Sequence, residues 1–226
     1  MSAIKLVVFD IAGTIIEDHG EVVRAFSSAF RENGIPFTGD EIKARMGSSK
    51  REVIRHFINQ QTGGEAHRED TVEATYRSFQ QELQRLYVES LVPIHGAEAT
   101  FDWCRNHGIH IATTTGFYKE ISDLILEKLG WRRRFAANIS SSDVRQGRPA
   151  PFMIFRAMEE AGVQNVRQVI NVGDTPLDLQ SGYNAGVRSV VGVLTGAHSE
   201  ERLKREPHTD IIASVAELPA LIEHTF

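Results

Sequence analysis

The stretch VVFDIAGTII, from Val7 to Ile16, is an apolar run that ends at one aspartate and continues into a turn with Ala12, Gly13 and Thr14. Continuous apolarity is typical of a strand that is buried on both faces. Asp10, at the end of this strand, is a candidate nucleophile. A carboxylate two residues further on could act as its acid/base partner, but the chain has Ala12 there. The predicted chemistry therefore has to proceed without that acid.

Five later segments repeat the pattern of a short apolar run that stops at small or polar residues. Between them lie helix-length segments that end in glycine, as helices with left-handed C-terminal caps do. This alternation predicts an α/β fold, a Rossmann-like open parallel sheet with helices on both faces. The six predicted strands are KLVVFD, IHIATTT, FAANISSSD, QVINVGD, RSVVGVL and TDIIASV, and the predicted caps are Gly108, Gly130, Gly162 and Gly186.

The segment between the first two strands breaks this alternation. It predicts successive helices over residues 21–33, 40–46, 50–60 and 66–88, with no strand among them. We therefore expect an all-helical cap domain over residues 19–91, inserted into an α/β core formed by residues 1–18 and 92–226. The alternative is that these helices pack on the sheet as part of a single domain. The aromatic residues at helical spacing predict the cap's own core or an interface between two copies; they are Phe26, Phe30, Phe57, Phe79 and Tyr87.

Composition narrows the class of partner. The 226 residues carry a net charge of -5, and no Lys/Arg block is long enough for a nucleic-acid or membrane footprint. A small molecule is the expected partner. The lone cysteine, Cys104, lies in an apolar setting that predicts a buried thiol, and the N-terminal apolar run is too short for a signal peptide. Both features predict a cytoplasmic protein.

Four of the predicted strands are followed by polar residues. In an open α/β sheet, ligands bind outside the carboxyl ends of the strands, so these residues should lie together. They comprise a carboxylate, a hydroxyl, a cation and an acid pair, which are the groups that phosphoryl transfer with Mg²⁺ requires. Each signal is weak alone, but their order along the chain is informative. They are Asp10, the run Thr113 to Thr115 with Gly116, Arg148 in GRPAP, and Asp174 and Asp178 in GDTPLD.

This ordered set resembles the haloacid dehalogenase superfamily of phosphohydrolases. The resemblance implies that Asp10 is the nucleophile and a Mg²⁺ ligand, and that the carbonyl of Ala12 reaches the same metal. Asp174 would be the acid that binds the metal, with Asp178 supporting it, and Thr14 would shape the turn beside the metal. Thr115 would bind phosphate with Gly116, and Arg148 would take the position that is usually held by a lysine.

Ala12 and Arg148 are departures that both resemble the phosphonatase branch, the phosphonoacetaldehyde hydrolases. The leaving group in that branch is carbon, and a cap lysine activates it. A lysine that condenses with the aldehyde forms an iminium, so that cleavage of the carbon–phosphorus bond yields a neutral enamine. An acid placed to protonate a leaving oxygen would have no role, which explains Ala12. The resemblance implies two partners, which are a small phosphonate substrate and a second copy of the chain, bound through the cap helices.

The sequence ARMGSSKREVIRHF supplies that lysine. Met46, Gly47 and Lys50 have the spacing of the phosphonatase cap motif, in which Met46 and Gly47 would contact the substrate. Ser49 to Glu52 forms a capping-box pattern that places Lys50 at the first position of a helix. There the helix dipole, with Arg45 and Arg51 nearby, should favour the free amine that imine formation requires.

Two positions depart from the phosphonatase pattern. The chain has Ile11 where that branch carries a tryptophan, and Val53 where it carries a histidine three residues after the lysine. The sequence thus predicts a phosphonatase-like hydrolase without naming its aldehyde. A phosphatase of small phosphate monoesters and a non-catalytic protein that binds a phosphorylated metabolite remain open. A hydrolytic dehalogenase is disfavoured because GDTPLD predicts a metal site.

Overall fold

The computed structural model describes residues 3–61, 68–89 and 91–225. Six strands form one parallel sheet in the order β3-β2-β1-β4-β5-β6. This order is that of the Rossmann-type doubly wound fold, so the predicted fold class is confirmed. The strands are β1 (Leu6–Phe9), β2 (His110–Thr115), β3 (Ala137–Ser140), β4 (Val169–Gly173), β5 (Ser189–Val193) and β6 (Asp210–Ile212).

Over residues 19–91 the described chain is helical, as the sequence predicts. Most of the observed helix ends lie within two residues of the predicted ends. The four helices are α1 (Glu21–Glu32), α2 (Gly39–Lys43), α3 (Lys50–Gln61) and α4 (Arg68–Glu89). The predicted start of the fourth, at residues 66–67, lies outside the described residues.

The segments that leave and re-enter the core run side by side. Ile16 forms an isolated antiparallel bridge with Pro93, and the amide of Glu17 donates to the carbonyl of Val92 at 2.9 Å. These contacts pair the two ends of the helical segment. The boundaries at residues 18 and 92 stay a prediction.

Aromatic residues of the cap pack against one another, within a buried cluster that also includes Val7 and Phe9 of β1. Phe26 contacts Phe79 with ring centroids 4.4 Å apart, and Phe30 contacts Phe57 at 4.9 Å. All five aromatic residues singled out in the cap are at most 1% exposed. They therefore belong to the interior of the chain, and the homodimer through the cap, which stays a prediction, would have to use other residues.

The remaining helices cover both faces of the sheet. Alternate strand residues point to opposite faces, so that Val7 and Phe9 join one buried cluster while Leu6 and Val8 join the other. The buried Cys104 belongs to the first cluster. The helices are α5 (Ala97–Asn106), α6 (Lys119–Lys128), α7 (Phe152–Glu160), α8 (Pro176–Ala185), α9 (Glu200–Leu203) and α10 (Leu218–Thr225).

The four predicted cap glycines have φ between 67° and 68°. This left-handed conformation is the one in which glycine ends a helix, so the prediction of these boundaries is confirmed. None of the described helices has both the length and the apolarity that crossing a bilayer requires.

Candidate active site

The carboxyl ends of β1, β2 and β4 bring the predicted site residues together. β1 lies at the centre, paired with β2 on one side and β4 on the other. Asp10 follows β1 directly, Thr115 ends β2, and Asp174 follows β4. All three side chains are at most 6% exposed. The site therefore lies where the strand order reverses, which is where this fold binds its ligands.

Arg148 is held by two carboxylates and one threonine. One guanidinium nitrogen, Nη1, lies 2.8 Å from Asp10 Oδ1 and 2.7 Å from Asp178 Oδ1. The other, Nη2, donates to the carbonyl and the hydroxyl of Thr114 at 2.7 and 2.9 Å. A planar guanidinium can make all of these contacts at once, whereas a lysine ammonium could not. This explains how arginine serves at a position that usually holds lysine.

Three acids crowd this end of the sheet. Asp10, Asp174 and Asp178 each offer an oxygen within 4.8 Å of the others. Burial, opposed by Arg148, raises the pKa of Asp10 to about 6. Burial and the charges of Asp10 and Asp178 raise the pKa of Asp174 well above its usual value. The three carboxylates are hard oxygen donors, and Arg148 alone does not balance their negative charge. Such a group of ligands fits Mg²⁺.

The turn after β1 is shaped around Asp174. Gly13 has φ +84°, and a Cβ on it would lie 2.7 Å from Asp174 Oδ2. Only glycine fits there without strain. Thr14 donates to Asp174 Oδ1 at 3.2 Å, and the amide of Ala197 donates to Oδ2 at 2.9 Å. These contacts fix the carboxylate while leaving further lone pairs for a cation.

Asp178 acts on Arg148 and on the start of α8. Its Oδ2 accepts hydrogen bonds from the amide and the hydroxyl of Thr175, which caps the helix. Its Oδ1 contacts Arg148. Because both oxygens are engaged, Asp178 is better placed to orient Arg148 than to bind a metal directly, as the resemblance implied.

Lys50 enters the site from the cap. It begins α3, as predicted, and is 5% exposed. Its Nζ lies 5.0 Å from the centroid of the Phe117 ring and 3.4 Å from the carbonyl of Ser48. With the residues that the structure describes it forms no ion pair.

The pKa of Lys50 falls to about 8, and burial is the main cause of this shift. The charge of Arg148 lowers it further, whereas Asp10 and Asp18 oppose the shift. The direction agrees with the sequence prediction. Among cations, Arg148, which comes from the core, is the leading influence on Lys50, rather than Arg45 or Arg51 as the sequence suggested. Arg51 instead pairs with Glu73 and lies over the ring of Tyr76.

The cap closes directly over the strand ends. A Cβ on Gly116 would lie 2.6 Å from the carbonyl oxygen of Ser48 and 2.8 Å from that of Gly47. Gly47 itself, with φ +88°, would bring a Cβ to 2.5 Å from Thr175 Oγ1. The cavity left between cap and core has a volume of about 20 Å³, room for roughly one water molecule. A larger cleft of about 510 Å³ lies elsewhere and contains none of the predicted site residues.

The structure gathers all of the sequence-predicted site residues. Most of them line the small cavity, while Thr14 and Asp178 contact members of that lining. Their individual roles stay predictions. The lining residues are Asp10, Ala12, Met46, Gly47, Lys50, Thr115, Gly116, Arg148 and Asp174, together with Thr175 of GDTPLD and two residues that the sequence analysis missed, Val22 and Phe117.

Two histidines lie away from this cavity. His56 packs its ring edge against Phe57, and His19 is an exposed linker residue that pairs with Glu17 at 2.7 Å. Neither lines the cavity. Of the missed residues, Phe117 was accessible to sequence reasoning, because it follows Gly116 at the end of β2. Val22 reaches the site only through the folding of α1.

A family comparison agrees with this geometry. The model for haloacid dehalogenase-like hydrolases matches residues 7–192, which include the cap, the acid cluster and most of the sheet but not β6. The chain belongs to the haloacid dehalogenase-like hydrolase family. It is accordingly a hydrolase, and its likeness to the superfamily is confirmed.

Curated and solved relatives locate the chain within the family. It is 32% identical to a phosphonoacetaldehyde hydrolase of Hahella chejuensis, over 98% of this chain and 86% of that protein. A solved phosphonoacetaldehyde hydrolase-like protein of Oleispira antarctica is 25% identical, with a TM-score of 0.86 over 99% of this chain and 92% of that one. These matches confirm the resemblance to the phosphonatase-like branch.

The same fold also occurs in proteins with other names. A predicted phosphatase of Clostridium acetobutylicum superposes with a TM-score of 0.83 at 20% identity, over 99% of this chain and 100% of that one. This likeness shows a common fold and no more. The substrate therefore has to be argued from the site.

Proposed function

We propose that this protein is a Mg²⁺-dependent hydrolase that cleaves the carbon–phosphorus bond of a 2-oxoalkyl phosphonate, phosphonoacetaldehyde or a close relative. The observation that carries the proposal is the position of Lys50. It is a buried lysine that forms no ion pair with the described residues, its pKa is about 8, and it lines the same cavity as Asp10. A lysine with these properties is suited to forming an imine.

The first step attaches the substrate to Lys50. The free amine adds to the aldehyde, and loss of water gives an iminium. Because burial lowers its pKa to about 8, roughly a tenth of Lys50 is the free amine at pH 7, far more than for an exposed lysine. The iminium then provides the electron sink that a carbon leaving group needs.

The second step transfers the phosphoryl group to Asp10. Its carboxylate attacks phosphorus, the carbon–phosphorus bond breaks, and the electron pair moves into the iminium to give an enamine. Water then hydrolyses the aspartyl phosphate, while the enamine takes up a proton and is hydrolysed from Lys50 as an aldehyde. Arg148 and the hydroxyl of Thr115, which line the same cavity as Asp10, would hold phosphoryl oxygens.

A divalent cation would be held by Asp10, the carbonyl of Ala12 and Asp174. When bound, Mg²⁺ would neutralise the charge of the phosphoryl group and of the crowded acids. The excess of carboxylates over cations at this end of the sheet supports that assignment.

The test is phosphate release from phosphonoacetaldehyde with Mg²⁺. Lys50→Ala should reduce turnover by at least about a thousandfold, the scale expected when a covalent catalyst is lost. Lys43→Ala is the matched control, because Lys43 is an exposed cap lysine. Phosphate release from a simple monoester, at equal rates in both variants and wild type, would favour a monoester phosphatase instead.

A further inference from the structure

A cleft of about 510 Å³ lies at the opposite end of β2 from the active site. His110, the first residue of that strand, lines the cleft, whereas Thr115, its last residue, lines the active-site cavity. The two cavities share no lining residue. The volume of the cleft falls within the range of roughly 300 to 1,000 Å³ that is typical of small-molecule sites, and no step of the proposed reaction uses it.

The segment WRRRF, from Trp131 to Phe135, contributes to one wall of this cleft. Both of its aromatic ends are buried, and each packs edge to face against Phe101 with ring centroids 5.1 Å apart. Because the two ends are anchored in the core, the three arginines between them are held at the surface. Arg133 and Arg134 line the cleft.

The charged lining of the cleft has more cations than anions. Arg105 Nη2 and Arg134 Nη1 are each 3.0 Å from the same oxygen of Asp102, so these two nitrogens lie no more than about 6 Å apart. Arg133 adds a third positive charge and forms no ion pair with the described residues. With His110 counted as neutral, three arginines and one aspartate leave an excess of two positive charges, in a chain whose net charge is -5.

The three guanidinium groups also have unused hydrogen-bond donors. Each group carries five N–H donors. Within the described chain, Asp102 is the side chain that Arg105 and Arg134 contact through them. Phosphate and phosphonate groups accept paired hydrogen bonds from such planar groups. A dianion of this kind would match both the free donors and the excess charge.

Much of the remaining lining is apolar. Phe101, Ile109, Ile111 and Phe135 contribute to it, beside the exposed ring of His110. Apolar and aromatic walls contact the carbon part of a ligand, whereas a few polar groups fix its orientation. An organic molecule with one dianionic group therefore fits the cleft better than an inorganic ion does.

We propose that this cleft is a second binding site, which takes a small organic phosphate or phosphonate. The guanidinium groups bind the dianionic end of the ligand, and the aromatic residues contact its carbon part. Asp102 is a positioning residue, because it holds Arg105 and Arg134 side by side. The site is separate from the proposed reaction, so binding there should need neither Mg²⁺ nor Lys50.

Isothermal titration calorimetry of the whole protein with phenylphosphonate tests this site, at a pH at which the probe is a dianion and without Mg²⁺. Phenylphosphonate has no carbonyl group, so it cannot form an imine with Lys50. Benzamide is the uncharged comparison, and inorganic phosphate is the comparison without a carbon part. Phenylphosphonate should bind at least about tenfold more tightly than either, and its affinity should fall as the salt concentration rises.

Arg133→Ala should weaken the binding of phenylphosphonate at least about tenfold, because charge-assisted hydrogen bonds are lost. Arg132→Ala is the matched control, since Arg132 is an exposed member of the same run of arginines that does not line the cleft. It should bind the probe as wild type does. Arg134→Gln should weaken binding as Arg133→Ala does, and urea unfolding checks that each variant is folded.

Four results would overturn this inference. They are the absence of binding to wild type, wild-type affinity in both Arg133→Ala and Arg134→Gln, equal losses in Arg132→Ala and Arg133→Ala, and inorganic phosphate that binds as tightly as the probe. Loss of binding in Lys50→Ala would place the probe in the active site and overturn it as well. Phosphate release from phosphonoacetaldehyde is a separate measurement, so failure of this inference leaves the proposed function intact.

Discussion

A buried lysine without an ion pair destabilises the folded state whenever it is protonated. Lys50 is in this position, because burial lowers its pKa from 10.5 to about 8. Below pH 8 the lysine is protonated in both the folded and the unfolded state, so the destabilisation is fully present. Between pH 8 and 10.5 the unfolded state binds more protons, so the stability of the fold rises with pH in that window.

Lys50→Met should therefore stabilise the protein at neutral pH. Methionine fills a similar volume without a charge, so we expect a gain of about 3 kcal/mol at pH 7, which is roughly the free energy of this pKa shift. The gain should shrink as the pH rises from 8 towards 10.5. Urea unfolding of both proteins from pH 6 to pH 10 measures it, with Lys43→Met as the exposed control. Equal stability at pH 7 would contradict the burial of a charged Lys50.

The contrast between Lys50 and its surroundings shows what sequence can predict at this scale. The capping-box pattern of Ser49 to Glu52 was sufficient to place Lys50 at the start of a helix. The cause of its low pKa was not predictable, because burial depends on the core closing over the cap, and Arg148 lies far away in sequence. Local patterns predict where a residue begins an element, whereas its electrostatic environment is tertiary.

At the scale of elements, the turn after β2 and the loop before α3 form the contact between core and cap. Gly116 carries no positive φ, so alanine is compatible with its backbone. A Cβ there would nevertheless collide with the carbonyl oxygens of Gly47 and Ser48. The substitution therefore disturbs the closed arrangement and leaves each element intact.

Gly116→Ala should lower kcat at least about tenfold while changing the free energy of unfolding by less than about 1 kcal/mol, because the collision acts on cap closure. Gly39→Ala is the matched control, since its Cβ would meet nothing within 4 Å. Steady-state kinetics and urea unfolding of the three proteins measure the two effects. A wild-type kcat in Gly116→Ala would show that this contact is not needed for turnover.

The elements themselves were predictable because their signals are local. The apolar runs predicted the six strands. Gly108 and Gly186 predicted helix ends, because glycine readily adopts the left-handed conformation found there. The meeting of Gly47 with Thr175, and of Gly116 with Ser48, was beyond sequence reasoning. Each contact joins cap to core, and no local periodicity encodes it.

At the scale of the whole molecule, the closed cap leaves the nucleophile enclosed. A cavity of about 20 Å³ is smaller than any phosphonate, so substrate can reach Asp10 only if the cap moves away from the sheet. Exclusion of water by the closed cap would in turn protect the proposed iminium from early hydrolysis. Opening and closing are thus both required in each turnover.

A reversible cross-link between cap and core tests this requirement. The Cβ of Ser49, in the cap, and a Cβ built on Gly147, in the core, are 3.9 Å apart. This separation is typical of disulfides. Neither residue lines the cavity. Cys104 is buried and its pKa is raised to about 12 by burial, so it should not compete for the new thiols.

The oxidised Ser49→Cys/Gly147→Cys protein should lose turnover by more than about tenfold, because the cap can no longer open, and a thiol reductant should restore it. Each single variant, treated with the same oxidant, controls for damage to the site. Non-reducing peptide mapping reports the fraction that is cross-linked, and phosphate release reports turnover on the same sample. Wild-type turnover in fully cross-linked protein would mean that substrate reaches Asp10 by a route that the closed structure does not contain.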